Sequence, residues 1–246
     1  MEADVEAYYD DSSALSRQAA AVLSGLWRSV DPGDISGSWR VLLPDAVAAM
    51  VAAQTVAAEF ADPYLTQVLD DADTVHPMVD VGGMVGPIEQ LLYRPAIEAK
   101  TAVGQGMSAN LALRNAGVKL ATIVHTGTAD TARLAVASGM TARRHASGYY
   151  RFLRAPSCSR CAILAGRFYR WNAGFRRHPR CDCGHRPVRE ADSSLAFDAR
   201  KAIEAGQVHG LSKADTKAIV EFGANPAQVV NARAGMYDVG QFTVTT

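Results

Sequence analysis

Apolar residues recur at three- and four-residue intervals along most of the chain, the spacing of one helix face. Over residues 4–30, Val5, Tyr8, Tyr9, Leu15, Ala19, Val22, Leu23 and Leu26 follow this stripe, and Asp31-Pro32-Gly33 stops it. Residues 33–43 read as a loop anchored by Trp39. A second helix is predicted from Pro44, a residue suited to a first helical turn, with Val47, Met50, Val51 and Ala57 on one face. Its many alanines permit close helix packing and read as core. Pro63 opens a short helix to Leu69, and Asp70 to Met78 breaks it. Ile88, Leu91 and Leu92 share a face, and Pro95 either kinks that helix or begins the next. Ser108 reads as a cap, Leu111, Val118 and Ala121 continue to His125, and Gly127 closes the helix. A further helix is predicted from Thr128 toward Arg154, through Leu134, Ala137 and Met140.

Downstream, Asp192 or Ser193 caps a helix that turns Leu195, Ala199, Ala202 and Ile203 inward. Ser212 and Asp215 form a capping-box pattern, Gly223 ends that helix, and Asn225-Pro226 start a short one carrying Val229 and Val230. Phe242 and Val244 alternate with polar neighbours, as in an edge strand or a tail that orders on a partner. The predicted fold class is mainly α: a helical domain over 1–154, a small module over 155–190, and a helical hairpin with a tail over 191–246.

Composition adds little at first. The 246 residues are 48% apolar, enough for a substantial core, and carry no net charge. The acidic, polar start does not read as a signal peptide, and no uninterrupted apolar run of membrane length is present, so neither secretion nor a membrane span is expected. The charge is unevenly placed, however. Residues 1–73 hold thirteen acids against three arginines, whereas residues 133–189 hold thirteen arginines, no lysine and one acid, Asp182. A surface rich in arginine alone suits bidentate contacts to phosphate or carboxylate. Arg143, Arg144, Arg151 and Arg154, interleaved with Tyr149, Tyr150 and Phe152, and the pair Arg176 and Arg177 are the candidate contacts to nucleic acid or an acidic partner. The same pattern also fits a helix that packs its aromatics inward while its arginines snorkel. Asp70, Asp71 and Asp73 lack the glycine and terminal glutamate of a calcium loop at the required spacing, and His76-Pro77 reads as a turn.

The most specific chemistry lies in residues 151–189. All four cysteines fall there, as Cys158-x-x-Cys161 and Cys181-x-Cys183, with His178 and His185 beside the second pair. Zinc is held by four such donors at tetrahedral corners, and a C-x-x-C turn brings two thiolates to one ion. The C-x-C half needs a bent backbone, so His178 stands as a substitute for Cys181 or Cys183. The expected cofactor is therefore a structural zinc ion held by four of Cys158, Cys161, His178, Cys181 and Cys183. Buried thiols without metal, two disulfides and a redox C-x-x-C are the alternatives. Asp182 is the only acid in the stretch, which gives a catalytic zinc no evident general base.

The succession Cys158-Ser-Arg-Cys161, Ala165-Gly166 and His178-Pro179-Arg180-Cys181-Asp182-Cys183 resembles the Mu-F-like minor head proteins, or head morphogenesis proteins, of tailed bacteriophages. The arginine-rich segment before it and the closing Val229 to Met236 look like the versions in phages of actinobacteria, as do Trp27, Asp31-Pro32 and Trp39 with the alanine-rich run after it. The resemblance implies a structural virion protein made in few copies in the host cytoplasm, located inside the head near the portal, and assisting head assembly and DNA packaging or delivery. Its implied partners are the portal or major capsid protein and packaged DNA, with no membrane and no small-molecule substrate.

The chain lacks a phosphate-binding loop, a Gly-x-Ser-x-Gly elbow and an H-E-x-x-H motif. No catalytic residue is assigned. The enzyme alternative is a capsid maturation protease of serine type, which would pair His125 with Ser138 or Ser147. A zinc-based transcription factor is disfavoured, because no polar recognition helix lies between the two ligand pairs.

Overall fold

The computed structural model describes residues 2–70, 87–171, 178–179, 181, 183–233, 236–239 and 242–245. It is mainly helical with a small sheet. The chain divides into two compact units, Met1–Ala146 with Gly174–Asp182, and Ser147–Ala173 with Cys183–Thr246.

The first unit is a helical bundle of α1 (Glu2–Trp27), α2 (Ile35–Glu59), α3 (Ala61–Leu69), α4 (Ile88–Gly104) and α5 (Ala109–Ala142). Helices α1, α2 and α4 all pack on α5. The core is built from Leu23, Trp27, Trp39, Leu43, Met50, Leu92, Leu120 and Val124. Trp27 and Trp39 meet edge to face at 4.8 Å. Each also spends its indole N–H on another helix: Trp27 donates to Leu113 O at 2.9 Å and Trp39 to Leu92 O at 3.0 Å. Two large side chains are thus buried without leaving a polar atom unsatisfied. By length and composition Ile35–Leu69 could cross a membrane; here its side chains Trp39, Leu43, Met50 and Leu65 are buried in the bundle.

Some helix boundaries differ from the sequence expectation. Helix α2 begins at Ile35 rather than Pro44, because the Asp34 carboxylate caps it by accepting from Gly37 N at 2.9 Å. The segment expected as a loop is therefore helical, and Pro44 lies within it. Pro95 sits inside α4, so of its two expected placements the one within a continuing helix holds. Helix α5 runs through His125 and Gly127 without interruption for 34 residues. Gly127 is a contact rather than a stop: a Cβ there would lie 2.6 Å from Met50 Cε. Gly117 does the same for Trp27, whose Cδ1 would lie 2.9 Å from a Cβ.

The helix predicted to reach Arg154 ends at Ala142, and the chain becomes a strand. In the second unit, β1 (Gly148–Phe152) lies between β3 (Phe168–Arg170) and β4 (Gly184–Val188), antiparallel to both. Aromatic residues favour this pleated surface. Tyr149 faces Tyr169 across the ladder with rings stacked at 5.4 Å, and His185 meets Tyr149 edge-on at 4.2 Å. Between these strands run β2 (Ser157–Cys158) and α6 (Ser159–Ala162). Strand β2 pairs in parallel with β5 (Val208–His209).

The C-terminal part holds α7 (Ala199–Glu204), α8 (Lys213–Val220) and α9 (Pro226–Arg233). The helix expected from Asp192 is instead a 3₁₀ turn, Ser193–Leu195, capped by Asp192, and Asp198 caps the following α7. The Ser212–Asp215 capping box forms as expected. Arg200 donates to the carbonyls of Ile219, Gly223 and Ala224, closing the C-terminal end of α8. Strands β6 (Met236–Val239) and β7 (Phe242–Thr245) form an antiparallel hairpin.

Candidate metal centre

The first cysteine pair is shaped by α6. Cys158, in extended conformation, is the N-cap, and its Sγ accepts the Cys161 amide at 3.4 Å. An N–H directed at sulfur favours a thiolate, the form in which cysteine binds metal. The chain then tightens through Leu164 N to Cys161 O at 3.0 Å and reaches Gly166, whose positive φ of 67° is suited to glycine. A Cβ at Gly166 would also collide with the Phe197 backbone.

The second pair flanks Asp182, which lies outside the described residues, and Cys183 leads directly into β4. Cys161 and Cys183 are fully buried and Cys181 is nearly so, while Cys158 is half-buried. The four sulfurs are thiols rather than disulfide halves. Two groups of possible ligands result: Cys158, Cys161 and His178, and Cys161, Cys181 and Cys183, each with its donor atoms within 4.8 Å of one another. Each of the five residues singled out from the sequence falls in one of the two groups, and Cys161 belongs to both. The cluster can hold a metal ion. Its donors, thiolate sulfur with one imidazole, fit a tetrahedral ion such as zinc.

Cys161 also receives a hydrogen bond from a residue that the sequence pointed elsewhere. Arg151 Nη2 donates to Cys161 Sγ at 3.6 Å, and Arg151 is 2% exposed. This corrects its expected role as a contact to nucleic acid: the guanidinium faces the interior. Arg143 is corrected in the same way. Its side chain is buried in the bundle, where it pairs with Asp62 at 2.6 Å. Arg133, not singled out from the sequence, pairs with Asp130 at 2.6 Å and also donates to the Cys181 carbonyl. Arg144 and Arg154 are exposed, and Arg176 and Arg177 lie outside the described residues. Within the basic stretch 133–189, the further exposed arginines among the described residues, not singled out from the sequence, are Arg160, Arg167, Arg170 and Arg189. Asp71, Asp73 and His76 lie outside the described residues, whereas Asp70 ends α3 in a left-handed conformation.

His125 and Ser138 stand thirteen positions apart on the single helix α5. At about 1.5 Å per residue that separates them by about 20 Å, so they do not form a nucleophile–base pair. The Ser147 hydroxyl donates to Val188 O at 3.4 Å. No family model, curated protein or solved structure matches the chain.

Proposed function

We propose that the cysteine cluster holds a structural zinc ion, and that the chain is a minor head protein of a tailed phage, located inside the head near the portal. The observation that carries the metal reading is the convergence of two sequence-distant cysteine pairs on Cys161. Zinc supplies fixed tetrahedral geometry and no redox chemistry, which suits a small unit whose described apolar side chains include the exposed Phe168 and Trp171. Cys158 and Cys161 provide the first two thiolates, and two of Cys181, Cys183 and His178 supply the other two ligands.

The minor head reading rests on the resemblance of residues 158–183 to that family. The exposed arginines support it by offering a surface for DNA phosphates or for an acidic portal or capsid face. Elemental analysis of the purified protein tests the metal: one zinc per chain is expected, and a metal-free protein indifferent to chelator removes this reading. Co-expression with the portal and major capsid protein of the same phage tests the location. The chain is expected in assembled heads by mass spectrometry, and its exclusion from portal-containing heads overturns the assignment.

A further inference from the structure

We propose that Arg151 is the charge-compensating and positioning residue of the metal centre, holding the Cys161 sulfur in place and slowing metal release. The inference rests on the metal reading above and deepens it.

Three or four thiolates on a divalent ion leave a net negative charge, and such a charge is costly to bury without a positive group beside it. Cys161 is fully buried, and Arg151 brings a guanidinium, which stays protonated in proteins, to 3.6 Å from its sulfur. The backbone of the same residue also holds the chain a few positions beyond that sulfur. Arg151 N donates to Arg167 O at 3.1 Å, and Arg151 O accepts from Gly166 N at 2.9 Å. Both bonds grip the turn that follows α6, in which Cys161 is the third residue. Arg151 sits in central strand β1, with His185 of β4 as its register partner. The charge is thus mounted on the most enclosed strand of the sheet. Groups that orient metal ligands from outside the coordination shell commonly change affinity by about 10–100-fold when removed.

The test uses the full chain loaded with cobalt(II), comparing wild type with Arg151→Met. A cation at the sulfur stabilises its lone pairs, so its loss moves the sulfur-to-cobalt charge-transfer band to longer wavelength. The variant is expected to keep one cobalt per chain, to show that shift, and to surrender metal to a competing chelator about 10–100-fold faster. Wild-type band position and release rate in a folded Arg151→Met protein overturn the proposal while leaving the metal reading intact. Failure of the wild type to bind cobalt overturns both.

Should Arg151→Met not fold, the wild type loaded with cadmium-113 carries the test. Coupling between cadmium and the Arg151 guanidinium protons through Cys161 is expected, together with slow exchange of those protons with solvent. Rapid exchange without coupling overturns the role.

Discussion

Arg143 Nη2 lies 2.6 Å from Asp62 Oδ1 and 3.0 Å from Thr66 Oγ1, joining the end of α5 to one face of α3. The arginine side chain is wholly buried and the aspartate largely so. Removing one partner strands a buried charge, which costs about 3–5 kcal/mol. Arg143→Ala is therefore expected to destabilise the bundle severely in urea, and Arg144→Ala, one position on and exposed, to stay within about 0.5 kcal/mol of wild type. Equal effects at the two positions would show that the ion pair is not a structural link.

The two ligand groups rank the cysteine variants. Cys161 belongs to both, so Cys161→Ser should abolish metal binding. Among His178→Ala, Cys181→Ser and Cys183→Ser, the variant that retains one metal per chain marks the donor left out. Structural zinc contributes on the order of 10 kcal/mol to small modules. Chelation is expected to erase the near-ultraviolet dichroism of the stacked Tyr149 and Tyr169 while the far-ultraviolet helix signal persists. Concerted loss of both signals contradicts separate dependence on metal.

How far the sequence revealed these features depended on the kind of signal. Helix periodicity located α1, α3 and the capping box of α8, because each has one buried face and a local stop or cap. It failed where tertiary contact overrode a local breaker, as at Gly127 beneath Met50. It failed again at β1, where four successive residues, Gly148 to Arg151, are buried. A strand enclosed on both faces shows no alternation, so its aromatics read as part of a helix. The metal cluster was legible because ligand chemistry leaves a spacing in the chain. The burial of Arg143 and Arg151 was not, since composition does not distinguish a guanidinium facing water from one facing a sulfur.

If the chain binds DNA, the exposed arginines should do so. Arg160, Arg167 and Arg170 are exposed on the second unit. Binding is expected to be indifferent to sequence and to weaken steeply with salt, as counterion release requires. Replacing the three by glutamine should flatten the log–log salt slope on duplex by about 2.7, at about 0.9 per phosphate contact. A retained slope in gel-shift titrations removes these residues from the interface.

Tyr8 stacks on Tyr64 at 4.0 Å and donates its hydroxyl to Ala132 O at 3.2 Å. Burial pushes its phenol from the usual 10.0 up to about 12. The folded state therefore keeps this proton more tightly than the unfolded chain. The resulting stability is fully present below pH 10 and is lost as pH rises toward about 12. Tyr8→Phe should cost about 1 kcal/mol at neutral pH through the lost hydrogen bond. It should also reduce the stability loss between pH 10 and 12, measured by urea unfolding; an unchanged alkaline loss would show that other groups govern it.

The central place of β1 has a consequence for synthesis. The strand that ends up enclosed is the first of its sheet to be made, and its outer partners follow later, ending at Arg170 and Val188. At about 5–20 residues per second, the nascent chain exposes two unpaired strand edges and a pair of tyrosines for seconds before the last partner is made. Chains arrested in that interval carry a sticky ribbon that the finished protein never displays, which makes this the point at which translation pausing or premature termination would feed aggregation.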